Sequence, residues 1–130
     1  MKNITGMLIR TDGTNASFKT IPANLESYYK TLDCELIDIV NRQVGHDKDN
    51  RYNIICDDEA LLKSPAVSTA IDHSLNYCLY GNLFVVGVDE ETGDVRSLTK
   101  DERKHLSRSH TRFYASGTAA LIDGLYWVRF

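Results

Sequence analysis

The spacing of apolar and polar residues divides the chain into short, alternating elements. Ile4 to Arg10 reads as a first strand, Asp12-Gly13 as the turn after it, and Ala16 to Ile21 as a second strand. Pro22 ends that strand and Asn24 is placed to cap a helix. Leu25, Tyr28, Tyr29 and Leu32 then fall at i, i+3, i+4 and i+7, one apolar face of a short amphipathic helix. A tyrosine pair on such a face is more often core packing than a stacking platform.

Two further strands, Cys34 to Asn41 and Arg51 to Cys56, flank the polar loop Gly45-His46-Asp47-Lys48-Asp49-Asn50. Ala60 to Lys63 reads as a single helical turn stopped near Ser64-Pro65, and Val67 to Ile71 as another short turn. Leu83-Phe84-Val85-Val86-Gly87-Val88 is apolar at odd and even positions alike, the mark of a central strand covered on both sides. Glu91-Thr92-Gly93-Asp94 turns the chain into Val95 to Leu98. Thr99 followed by Glu102 is a capping box, predicting a helix from Lys100 to about Ser109. Thr118 to Ile122, Asp123-Gly124 and Leu125 to Phe130 form a β-hairpin pattern.

These elements predict one small α+β domain with a mixed or antiparallel sheet, a few short helices and a C-terminal hairpin. Residues 4–106 or so make its body and about 107–130 a C-terminal extension. The Leu25–Leu32 helix is expected to cover the Leu83–Val88 strand. The predicted core is Leu8, Leu25, Tyr28, Leu32, Ile37, Ile54, Cys56, Leu83, Val85 and Val88. The hairpin's last strand is apolar on both faces, which predicts a homo-oligomer assembled through it.

Composition narrows the class. One hundred and thirty residues suit a single compact domain, and 42% hydrophobic with 25% charged residues excludes intrinsic disorder. No apolar run approaches the ~18 residues of a membrane span. The first residues lack a basic region followed by an apolar stretch, so a cytoplasmic protein is the expectation. Cys34, Cys56 and Cys78 form neither a disulfide framework nor a zinc pattern, and read as buried free thiols. His46, His73, His105 and His110 are scattered, so neither a metal nor a cofactor is expected.

Charge is more informative as a distribution than as the net −3. Residues 1–95 carry 8 basic and 15 acidic side chains, whereas residues 96–130 carry 7 and 3. Lys100, Lys104 and Arg108 share one helix face, with Arg112 just beyond, a stripe able to attract phosphate. Tyr114, Ser116, Gly117 and Thr118 follow it, small and hydroxyl-bearing residues of the kind found around bound anions. An anionic or nucleotide ligand would therefore meet Lys104, Arg108, Arg112, Tyr114, Ser116, Thr118 and Trp127, an aromatic ring stacking on the base. The alternative for the stripe is a solvated face that complements acidic groups elsewhere. Asp57-Asp58-Glu59 is the other cluster, a possible cation or general-base site, but three consecutive carboxylates also suit the start of a helical turn. No nucleophile–base or phosphate-loop motif is present, so no catalytic residue is assigned.

Ile39-Val40-Asn41-Arg42, Tyr52 to Leu62, Gly81 to Gly87 and Ser97-Leu98-Thr99 together resemble the domain of unknown function 3846 family, over roughly Ile4 to Leu106. Ala60 stands where that family's acidic-strand motif has glycine. The resemblance implies small proteins of phages and mobile elements, mostly in Firmicutes, and carries no activity with it. In that setting small inhibitors and sequestering proteins are common. The expectation is a non-catalytic anti-defence protein that captures a nucleotide immune signal or blocks a host defence protein. A phosphodiesterase acting on such a signal and a nucleic-acid-binding accessory factor are the alternatives. The chain's acidity argues against duplex DNA as the ligand.

Overall fold

A computed structural model describes residues 2–11, 16–44, 51–63, 68–72, 77–107 and 126–127. The strands are β1 (Asn3–Ile9), β2 (Ser17–Pro22), β3 (Ile37–Gln43), β4 (Arg51–Asp57), β5 (Ser68–Asp72), β6 (Tyr77–Tyr80), β7 (Leu83–Val88), β8 (Val95–Arg96) and β9 (Tyr126–Trp127). Helix α1 is Leu25–Leu32, and a second helix, α2, is described over residues 100–107. A 3-10 turn occupies Ala60–Leu62. The main sheet runs β2-β1-β7-β4-β3, with β8 paired to the far end of β7, and a smaller sheet runs β6-β5-β9. Every pairing is antiparallel. The α+β expectation holds, and the sheet is antiparallel rather than mixed.

Strand β7 lies at the centre, and alternate residues feed two cores. Leu83 and Val85 join Met7, Ile9, Ile54, Cys56, Tyr52, Ala70, Leu79, Leu98 and Leu106 on one face. Phe84 and Val86 join Ile4, Leu8, Ile21, Ile55, Tyr28 and Leu32 on the other. Helix α1 therefore covers the second face, while α2 and the smaller sheet cover the first. Gly6 of β1 has to be glycine for the sheet to close, because a Cβ there would lie 2.6 Å from the Val85 carbonyl oxygen.

Both helices begin as the sequence predicts. Asn24 accepts a hydrogen bond from the Ser27 N–H at 2.8 Å, and α1 ends at Asp33 in the left-handed conformation, φ 54°. Asn82, just ahead of β7, donates to the Leu32 carbonyl and accepts from the Thr11 N–H, which ties the end of α1 to the sheet. At α2 the capping box is complete: Glu102 N–H donates to Thr99 Oγ1 and Thr99 N–H to Glu102 Oε1. Arg96 adds a two-pronged pair to the same carboxylate, at 2.7 and 3.0 Å. Its guanidinium crosses directly over Gly87, where a Cβ would stand 2.7 Å from Arg96 Cζ. The second glycine of β7 thus makes room for the ion pair that anchors α2.

Several expectations change. Val67 to Ile71 is not a helical turn: Ser68–Asp72 is strand β5, paired with β6 and β9, and Thr69 donates its hydroxyl to the Gly81 carbonyl. β-Branched Thr and Ile favour the pleated partner once β6 is beside them. Leu25 is not in the core but 56% exposed, because Tyr28 and Leu32 take the sheet-facing side of a two-turn helix and Leu25 falls on its open first turn. Ile37 and Val88 are half-buried and the other seven predicted core residues are buried. Strand β3 starts at Ile37 rather than Cys34. The C-terminal hairpin lies outside the described residues except for Tyr126–Trp127, which pair within the chain to β5.

Burial raises the Glu102 carboxyl, but the hydrogen bonds from Arg96 and Thr99 outweigh it and hold the group below its ordinary 4.5. A carboxyl lowered on folding stabilises the fold above its unfolded pKa, and that contribution disappears as pH falls through the lower, folded value. Glu102→Gln is expected to cost about 3 kcal/mol at pH 7, with the gap to wild type narrowing below about pH 4.5. Urea melts at pH 7, 5 and 3 measure it. Gly87→Ala is expected to cost a similar amount and to be non-additive with Arg96→Ala, since both break the same pair.

Candidate functional site

Three surface regions carry chemistry. The first is a cavity of about 540 Å³ on the α1 side of the sheet, between α1, β3, β4 and the β7–β8 connection. Asn41, Asn53 and Ile39 project from neighbouring strands along its floor, and Tyr28, Val95, Lys2 and Asp94 stand around it. Asn53 is 4% exposed and fully engaged. It donates to the Gly93 carbonyl at 3.1 Å and accepts from Asn41, which in turn receives Arg51. The amides order the β7–β8 turn and spend their hydrogen bonds on protein. Lys2, Asp94 and Arg96 are its charged lining residues among those described, and Arg96 is committed to Glu102, so the cavity offers little that would hold a charged ligand. Burial pushes the Tyr28 phenol above its ordinary value, which keeps it neutral.

The second region holds the acidic cluster. Asp57 is 7% exposed, pairs with Lys63 Nζ at 2.7 Å, and accepts the Glu59 N–H at 2.9 Å. The hydrogen bond it donates to Asp57 raises the Lys63 ammonium above its ordinary value. Asp58 is exposed and its N–H donates to the Leu36 carbonyl. These contacts shape the turn after β4 and commit Asp57 to Lys63 and to the Glu59 N–H. No group of three or more His, Cys, Asp or Glu side chains able to hold a metal occurs among the described residues. Cys34 and Cys78 are half-buried and Cys56 is buried, all as free thiols. Burial first, then the carboxylates of Asp38, Asp58 and Asp57, push the Cys56 thiol up to about 12.

The third region is the outer side of α2. Lys100, Arg103, Lys104 and Ser107 line an open concavity of about 520 Å³ with Phe18 of β2. Phe18 is 40% exposed and stands opposite Met7, so it faces the α2 side of the sheet. No ion pair to Lys100, Arg103 or Lys104 occurs among the described residues, and no carboxylate lines the wall. The lining itself is mostly apolar, the Phe18 ring and the hydrocarbon stems of the basic side chains, so the concavity suits a planar ring whose phosphate reaches the charged ends around it.

The structure brings Lys104 to this concavity together with Lys100 of the same predicted stripe. Arg108, Arg112, Tyr114, Ser116 and Thr118 lie outside the described residues, and Trp127 pairs through its backbone with Ala70 of β5. Phe18, Arg103 and Ser107 were not candidates from the sequence. Arg103 is three residues after Lys100 and belongs to the same face at i+3 spacing, a signal open to sequence reading. Phe18 had none, since only the β1–β2 register and the docking of α2 bring it there.

The chain matches the family model DUF3846, a domain of unknown function, over residues 4–111, and belongs to that family. No match is found among curated proteins or among solved structures.

At pH 8 a thiol with a pKa of about 12 is ionised in about one molecule in 10,000. A Cys34→Ser/Cys78→Ser protein is therefore expected to leave Cys56 unlabelled by a disulfide reagent while folded and to react fully in denaturant. Rapid labelling of the native protein would contradict the buried-thiol assignment.

Proposed function

We propose that this protein is a non-catalytic binding protein for an anionic nucleotide, which it holds on the outer face of α2. The observation that carries the reading is the concavity walled by Phe18, Lys100, Arg103, Lys104 and Ser107, with no carboxylate in its wall and no ion pair to its three cations among the described residues. Phosphate groups meet the cations and the base stacks on Phe18, a contact worth about 1–3 kcal/mol. Among the described residues the wall contains no histidine, cysteine or carboxylate to act as a general base, which favours capture over phosphodiester cleavage. A phage or mobile-element protein with this site has a use as a sponge for a host nucleotide signal. That anti-defence role is the biological form of the proposal.

The test is equilibrium dialysis against a panel of linear and cyclic nucleotides, followed by denaturation and chromatography of the recovered ligand. Binding with intact release is expected, and release of an altered nucleotide would instead favour the enzyme. Arg103→Glu/Lys104→Glu should lower affinity about 100-fold, roughly 2.7 kcal/mol, without changing the melting temperature, because both side chains are exposed. Asn41→Ala at the other cavity should leave binding unchanged. Equal affinity for the charge-reversed and wild-type proteins would place the site elsewhere.

A further inference from the structure

Phe18 and Lys19 are successive residues of β2 and therefore point to opposite faces of the sheet. Phe18 joins the α2 concavity. Lys19 joins a second one, of about 270 Å³, on the α1 face, lined by Arg10, Lys19, Ile21, Pro22, Ser27, Lys30 and Thr31. Among the described residues this second hollow also contains no carboxylate, and it adds the Ser27 and Thr31 hydroxyls to the cations. Lys19 and Lys30 are exposed, and no ion pair to either occurs among the described residues. Strand β2 is an edge of the main sheet, so nothing in that sheet separates the two hollows except one strand.

Asp33, Glu35, Asp57 and Glu59 surround a separate hollow beyond the end of α1, with Lys63 as the one cation among its described lining residues, and Asp38 and Asp58 line the hollow next to it. Lys30 in the last turn of α1 and Asp33 at its C-cap are three residues apart, so the basic and the acidic hollow both reach that end of the helix. A polyanion is attracted to the first and repelled by the second.

Resting on the nucleotide-binding reading above, we infer that the ligand is a single-stranded oligonucleotide that crosses the β2 edge. One base stacks on Phe18 and phosphates on that side meet Lys100, Arg103 and Lys104. The backbone then passes over β2 and its next phosphates meet Lys19 and Lys30, with Ser27 and Thr31 donating hydroxyl hydrogen bonds. A mononucleotide fills the α2 hollow alone. A duplex is too wide and stiff to fold over one strand and presents no free base to Phe18.

The experiment is fluorescence anisotropy with labelled oligo-dT of three and twelve nucleotides, and with a labelled mononucleotide, over a range of salt concentrations. The twelve-mer is expected to bind at least tenfold more tightly than the mononucleotide and with the steeper salt dependence. Lys19→Gln/Lys30→Gln should flatten the twelve-mer's log–log salt slope by about 1.4, at about 0.7 for each lost phosphate contact, and leave the mononucleotide's affinity unchanged. Arg103→Glu/Lys104→Glu should weaken all three probes. If the mononucleotide binds but the Lys19/Lys30 variant retains the wild-type slope with the twelve-mer, the strand does not cross β2 and only the single-hollow reading stands. If none of the probes binds, the nucleotide reading itself fails. Equal affinity for a twelve-base-pair duplex would overturn the single-strand assignment.

Discussion

A strand that is apolar on both faces has to be covered twice, and β7 imposes that requirement on the whole domain. Phe84 and Val86 need a cover on one side, Leu83 and Val85 on the other, and all four are at most 1% exposed. Burying side chains of this size is worth about 1.5–3 kcal/mol each, so the two layers around β7 are where the domain's stability resides. The chain meets the demand with limited material. An eight-residue helix serves one face, while α2 and a small second sheet serve the other. Strands β1 and β4 flank β7 and shield its edges, which moves β2 and β3 to the rim.

The anchoring of α2 shows how stability and the site are joined. Arg96 must reach Glu102 across the sheet surface, and Gly87 alone on β7 leaves room for it. The pair satisfies the first turn of α2 and fixes the helix above β1 and β7. Leu106 buries against the core beneath, and the His105 ring stacks on Tyr52 at 6.0 Å with its Nε2 against the Val44 carbonyl. With that inner side committed, Lys100, Arg103 and Lys104 are left outward, over Phe18. The cationic face is a by-product of how the helix is held.

Much of this was legible in the sequence because local rules and the fold agree. Asn24 caps α1, Thr99 and Glu102 cap α2, and the two-faced apolar run from Leu83 marks the centre of the sheet. Ser68–Asp72 was misread because its five residues have no alternation strong enough to show a strand without β6 beside them. The candidate site was half legible. The Lys100–Lys104 stripe is a local, helical signal. Phe18, Lys19 and Lys30 reach their places through strand register and helix docking, which link residues far apart in the chain. Asp57-Asp58-Glu59 stands out in sequence, yet the fold uses Asp57 to pair with Lys63 and to shape a turn.

The most direct test of the account is where a nucleotide perturbs the backbone of the folded protein. In a ¹⁵N-labelled sample titrated with a nucleotide, the amides of Phe18, Lys100, Arg103, Lys104 and Ser107 should shift together along one saturating curve, with those of Tyr28, Asn41, Asn53 and Val95 unmoved. Shifts centred on Asn53 and Val95, with α2 silent, would contradict it and place the ligand in the cavity beside α1.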